Sequence, residues 1–214
     1  MTTGRRLIVW RHGQTEHNAG GIWQGQLDTD LSETGVLQAK AAAEGLARLG
    51  PHRIVSSDLR RAARTADELA AVVGLPVTRD ERFREIDVGT WQGMSQGDVA
   101  ERYPDEHAAL GRGEDIRRGE HGEAVEHVRE RVYAGAQDLL AGLAEGETAV
   151  VATHGVAGRA LAAAMVGLGQ REAWLMLGGL HNCHWAELAE HRTGWRIVGW
   201  NVGAGPVASG TSDH

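Results

Sequence analysis

Short apolar runs alternate along this chain with longer stretches whose apolar positions recur every three to four residues, the signature of strands interleaved with helices. Residues 7–10 (Leu-Ile-Val-Trp) read as a first buried strand. Leu31-Ser32-Glu33-Thr34 offers an N-cap with acidic charge in the first turn, opening a helix over 33–49. Residues 53–56 form a second short strand, and a helix over 60–73 follows, stopped by Gly74 and Pro76. A brief extended piece covers 77–79. Residues 83–115 are irregular and rich in glycine and charge, and are expected to cap the end of the first strand. An amphipathic helix spans 122–144, with Val125, Val128, Val132, Leu139, Leu140 and Leu143 on its buried face. Residues 148–153 are a strong strand, 156–168 a small-residue helix, and 184–188 and 195–200 two closing strands. The pattern describes one layered α/β domain over 1–202 with a cap within 83–122, followed by a Gly/Ser-rich, flexible tail over 203–214. Trp10, Trp195 and Trp200, on strands, are expected in the core.

Composition narrows the classes. A chain of 214 residues can bury a substantial core. A net charge of −7 argues against non-specific binding to nucleic acid or to an anionic membrane. Lys40 is the only lysine, so the cations are almost all arginine, whose fork matches phosphate. Cys183 is the single cysteine, which forbids an intrachain disulfide and points to a reducing cytoplasm. The N-terminal apolar run is too short for a signal core, and the stretch 160–168 too short for a membrane span.

The chemistry gathers where strands end. Arg11-His12-Gly13 follows the first strand and His154-Gly155 the fourth. In a parallel sheet such ends form the ligand crevice, and an imidazole beside a guanidinium suits attack on a phosphate. The alternative is two unrelated histidines capping carbonyls. Arg61, in Ser57-Asp58-Leu59-Arg60-Arg61, stands near a helix N-terminus that adds partial positive charge. Glu85, in Arg84-Glu85-Ile86-Asp87-Val88-Gly89, precedes Trp91, which could shield it; the rival role is an ion pair with Arg82 or Arg84. Trp23, His121 and Glu123 are weaker pocket candidates. His181 and His184 invite a metal reading, but on a strand they would face opposite sides, which favours a structural role.

Together these segments resemble the histidine phosphatase superfamily, in the branch that contains cofactor-dependent phosphoglycerate mutases and related phosphatases. The resemblance runs over 7–200. Residues 24–35 look most like actinobacterial glucosyl-3-phosphoglycerate phosphatases and their broad-specificity relatives. It implies a three-layer α/β/α sandwich with a mostly parallel central sheet and a small helical and loop cap. By position it makes His12 the phosphate acceptor, Arg11 and Arg61 the phosphate clamp, His154 the second pocket histidine and Glu85 the proton donor. Asn18, Gln24, Gly25 and Gly155 join the phosphate or substrate contacts. The chain departs from the pattern at Ile22, where a basic residue is common, at Ala124, which replaces the serine of a Gly-Glu-Ser element, and at Val156, where a small residue is usual.

The implied activity is phosphomonoester hydrolysis through a phosphohistidine, with no metal and no cofactor. Its partners would be a small phosphorylated metabolite such as glucosyl-3-phosphoglycerate or a sugar phosphate, with inorganic phosphate as product. The rival readings are a phosphoglycerate mutase and a non-catalytic phospholigand-binding protein. A homodimer is left open.

Overall fold

The computed structural model describes residues 4–204; the flexible tail expected over 203–214 lies, from residue 205 on, outside the described residues. The elements in order are β1 (Arg6–Arg11), α1 (Glu16–Ala19), α2 (Glu33–Ala47), β2 (Arg53–Ser56), α3 (Arg60–Val73), β3 (Val77–Arg79), α4 (Gln96–Arg102), α5 (Pro104–Gly111), α6 (Val125–Ala141), β4 (Thr148–Thr153), α7 (Gly155–Met165), α8 (Gln170–Met176), β5 (Trp185–His191) and β6 (Gly194–Val202). One six-stranded sheet runs β3-β2-β4-β1-β5-β6. Its first four strands are parallel, and β5 and β6 are antiparallel additions.

Alternation along the central strands builds the three layers. Leu7 and Val9 of β1, with Ala149 and Val151 of β4, pack against Val128 and Val132 of α6 and Leu161 of α7. Ile8 and Trp10, with Val150 and Ala152, turn to the opposite face, against Ala39, Ala43 and Leu46 of α2 and Leu69 of α3. Strands apolar on both faces must be covered on both, and the sheet sits between two helical layers as a result. The alanines on α2 and α7 let helices and sheet approach closely. Among the described residues no helix is long and apolar enough to cross a membrane.

Local chemistry sets the helix ends. The Ser32 side chain accepts from the Gly35 N–H at 3.1 Å and opens α2. Gly74, at φ 71°, closes α3 in the left-handed conformation that glycine adopts without strain.

Several expectations change. The segment thought irregular holds α4 and α5, one opened by a Ser95–Asp98 capping box and the other by Pro104 at its first turn. Helix α8 was not foreseen. The amphipathic stretch is helical only over Val125–Ala141, so Leu143 packs from beyond its end, and Leu139 is half-buried. Trp10 is fully buried, but Trp195 and Trp200 are half-buried, because β6 is an edge strand.

Candidate active site

Register places the two histidines side by side. Arg11 pairs with Thr153 across the parallel β1–β4 ladder, and the His12 N–H donates to Thr153 O at 2.9 Å just beyond it. The rings lie 5.1 Å apart, edge to face. The chain after His12 can turn down onto α2 only through glycine: a Cβ on Gly13 would meet the backbone of Gly35, and one on Gly35 that of Gln14. The Gly13 N–H donates to Thr65 Oγ1 at 3.1 Å, tying the turn to α3.

Both imidazoles have assigned protons. His12 Nδ1 is 2.6 Å from Gly13 O, an acceptor only, so Nδ1 carries the proton and Nε2 keeps its lone pair. His154 Nδ1 accepts from Arg61 Nε at 3.2 Å, so its proton is on Nε2, donating to Ser57 Oγ at 2.9 Å. Burial, reinforced by the Arg61 and Arg11 cations, holds His12 well below the usual imidazole range, and burial with Arg61 does the same for His154. Both rings are therefore neutral at neutral pH.

The cations are positioned by carbonyls. Arg61, 1% exposed, donates from Nη1 to Leu27 O at 2.6 Å and from Nη2 to Gly25 O at 2.8 Å, leaving two of its five N–H groups unused. Gly25 makes this possible by its φ of 52°. Desolvation lowers Arg61 to about 10, so it stays charged. Arg11 donates from Nη1 to Leu180 O, while its buried Nε has no hydrogen-bond partner among the described residues.

Glu85 stands at the N-terminus of α7. Its Oε1 accepts from Ile86 N–H at 2.9 Å and Ala157 N–H at 3.0 Å, and its Oε2 from Val156 N–H at 3.2 Å. A Cβ placed on Gly155 would lie 3.6 Å from Arg11 Cζ and 3.7 Å from Glu85 Oε2, so guanidinium and carboxylate flank the start of that helix. The rival pairing fails: Arg82 holds Asp80 and Asp138, and Arg84 holds Asp58. Trp91 packs on Trp23 and Tyr103, with centroids 5.5 Å and 5.8 Å away, in an aromatic cluster at the cap.

His12, Arg11, Arg61, His154, Gly155 and Glu85 thus come together. Asn18 joins the rim through Asn182, whose Nδ2 donates to Asn18 Oδ1 at 3.2 Å and to His12 O at 3.1 Å. The Gln24 carbonyl is occupied by Thr15 and Thr29 hydroxyls at 3.0 Å and 2.7 Å, and the Gly25 carbonyl by Arg61. Glu123 does not reach the pocket: it pairs with Arg131 at 2.8 Å and accepts from Asp87 N–H. His121 is exposed.

Sequence reasoning missed several supports. Arg131 donates to Arg82 O, Arg84 O and Glu85 O, at 2.8, 2.6 and 2.9 Å, and so fixes the backbone that carries Glu85. Ser57, inside the Arg61 motif, accepts the Nε2 proton of the tautomer that Arg61 imposes on His154. Ala124 leaves α6 without a side-chain cap of its own, and Asp115 supplies it, accepting from Val125 and Glu126 N–H at 2.7 and 3.0 Å. His181 and His184 lie in a turn before β5, not on a strand, and their rings meet at 5.2 Å instead of facing apart. Burial pushes the Cys183 thiol up, which keeps it protonated. Among the described residues no group of three or more His, Cys, Asp or Glu could hold a metal ion.

Two buried guanidinium groups beside one unbonded imidazole nitrogen can bind a phosphoryl group and receive it. The family model for histidine phosphatase superfamily (branch 1) matches residues 7–203. A glucosyl-3-phosphoglycerate phosphatase of Mycolicibacterium vanbaalenii is 43% identical over 94% of this chain and 96% of its own. A phosphoserine phosphatase of Hydrogenobacter thermophilus is 37% identical over 79% and 80%. A mycobacterial glucosyl-3-phosphoglycerate phosphatase solved with VO3 superposes with a TM-score of 0.86 at 41% identity, covering 92% of this chain and 99% of that one.

Proposed function

The chain belongs to the histidine phosphatase superfamily, branch 1, and is a phosphatase of it; from that premise we propose that it hydrolyses small phosphomonoesters through a phosphohistidine on His12, without a metal. The observation that carries the reading is the state of His12: neutral, fixed by Gly13 O, with Nε2 unbonded beside two guanidinium groups.

The mechanism follows from charge. A phosphomonoester brings about two negative charges at neutral pH. Arg11 and Arg61 offset them with their unused N–H groups. Phosphoryl transfer is mainly positioning and stabilisation of the equatorial oxygens, which fixed guanidinium forks provide. His12 Nε2 bonds to phosphorus as the ester P–O bond breaks, and Glu85, protonated, gives its proton to the leaving alkoxide. Water then attacks phosphorus, Glu85 takes a proton back, and the P–N bond breaks to release inorganic phosphate and neutral His12. His154, both of whose ring nitrogens are engaged by Arg61 and Ser57, stands edge to face against the His12 ring and helps hold Arg61 in the clamp.

The relatives suggest the substrate class. Glucosyl-3-phosphoglycerate and phosphoserine are both phosphomonoesters whose alcohol carries a carboxylate, and we assign this chain to substrates of that kind. Hydrolysis is favoured over mutase exchange because the relatives matched at 43% and 37% identity are phosphatases. The single cysteine fits a cytoplasmic setting. The test is phosphate release by the purified chain, in EDTA, from 3-phosphoglycerate, glucosyl-3-phosphoglycerate, phosphoserine, sugar phosphates and p-nitrophenyl phosphate. Turnover of the carboxylated esters supports the reading; release from none of the panel refutes it.

A further inference from the structure

Arg118 is a cation without an explanation in the fold. It is 3% exposed, and its Nε and Nη1 have no hydrogen-bond partner among the described residues. A buried guanidinium left unpaired is costly, so such a group calls for a ligand. Burial lowers it to about 10, and it remains charged at neutral pH.

Its position is fixed by backbone. The Arg118 N–H donates to Glu123 O, Gly119 O accepts from Thr90 N–H at 3.1 Å, and the Glu123 N–H donates to Asp87 O at 2.8 Å. A Cβ on Gly119 would meet Val88 O and Thr90 N, so this segment lies directly on the loop that leaves Glu85. Asp115, Glu85 and Glu123 are the carboxylates whose fields reach Arg118. None is free to pair with it: Asp115 caps α6, Glu123 holds Arg131, and Glu85 accepts three backbone amides. A second cation stands close. Arg159, on the turn of α7 after the amides that hold Glu85, lies over Trp174 at 4.6 Å and also feels Glu85. Arg159 lines a cavity with Arg129, whose buried Nε is likewise without a partner among the described residues.

We propose that Arg118, with Arg159 beside it, forms a subsite for a second anionic group of the substrate, the carboxylate of the leaving alcohol, on the Glu85 side of the phosphate pocket. This rests on the phosphatase reading above and adds to it the residues that select the substrate class. A carboxylate would give the unpaired guanidinium the bidentate partner its geometry suits, and would hold the ester oxygen at the proton donor. A neutral alcohol would leave the cation unpaired and lose affinity for that reason.

The experiment compares 3-phosphoglycerate with glycerol 3-phosphate, in which a hydroxymethyl group replaces the carboxylate. Wild type is expected to favour the acid in kcat/KM by about tenfold or more, as a charge-assisted hydrogen bond implies. Arg118→Gln and Arg159→Gln, each checked for folding by circular dichroism, are expected to bring that ratio toward one, mainly through KM for the acid. Should Arg118→Gln fail to fold, Arg159→Gln decides. A wild type with no preference for the acid, or a folded variant that keeps the full ratio, overturns the subsite. Absence of phosphate release by wild type from every ester tested, p-nitrophenyl phosphate included, would instead remove the phosphatase reading.

Discussion

Glu85→Gln separates a proton donor from a structural carboxylate. The replacement amide can keep its oxygen where Oε1 now accepts from Ile86 and Ala157, at 2.9 and 3.0 Å. Its NH2 would then face the Val156 N–H, and only the longest of the contacts, 3.2 Å, is lost. One lost hydrogen bond to a charged group costs about 1.5–3 kcal/mol, lowering Tm by about 2–4 °C per kcal/mol, so the variant folds. The catalytic loss is of another order. General acid catalysis contributes about 10²–10⁴-fold, or roughly 2.7–5.5 kcal/mol of barrier, when the leaving group needs a proton. Single-turnover release of glycerate from 3-phosphoglycerate should fall by that factor. With p-nitrophenyl phosphate the phenolate leaves unaided, so the first turnover should slow by less than about tenfold. The second step should still be slow, because the same carboxylate activates water. Rapid mixing should therefore show a nitrophenolate burst equal to the enzyme concentration, followed by a slow phase. An equal loss on both substrates, with no burst, would mean that Glu85 only supports the fold.

Other consequences are accessible to simple measurements. His12 and His154 are held below the ordinary imidazole value of 6.5 in the folded state, so below that pH the unfolded chain takes up protons that the folded chain refuses. Stability should therefore fall as pH drops from about 6.5, above the carboxylate range, by up to about 2.7 kcal/mol per pH unit for the pair. Urea midpoints at several pH values check this, and a flat profile contradicts it. Asp115→Ala removes the cap of α6 and should cost about 1 kcal/mol, read as a lower Tm; an unchanged melting curve would show that the cap contributes nothing. Vanadate should inhibit competitively by occupying the basket of Arg11, Arg61 and the two histidines, and non-competitive inhibition would place the anion elsewhere.

The layers and the histidine pair were legible because local rules carried them. Strands β1 and β4 are buried on both faces and read as continuous apolar runs, and each ends in His-Gly at the same register of one parallel ladder. Ser32 and Gly74 marked helix ends by side-chain and backbone chemistry that acts within a few residues. What stayed hidden depends on distance in sequence. Helices α4, α5 and α8 have eight residues or fewer, too short for periodicity to declare them, and the starts at Ser95 and Pro104 are set by local capping that a search for periodicity passes over. Arg131 and Asp115 matter through partners in other segments, which no spacing rule reaches. His181 and His184 were misplaced because the turn between them, with Cys183 at φ 59°, undoes the alternation a strand would impose. Arg118 carried no motif, and its meaning rests on burial without a partner.

The central claim is that phosphate passes through His12. Mixing the enzyme with phosphorus-labelled substrate, stopping the reaction in alkali within the first turnover and mapping the labelled peptide tests it directly. The account predicts an acid-labile, alkali-stable phosphoryl group on the peptide carrying His12, its formation and decay keeping pace with turnover, and neither label nor turnover in His12→Ala. Full turnover with no such label, or a His12→Ala enzyme near wild-type activity, would contradict it.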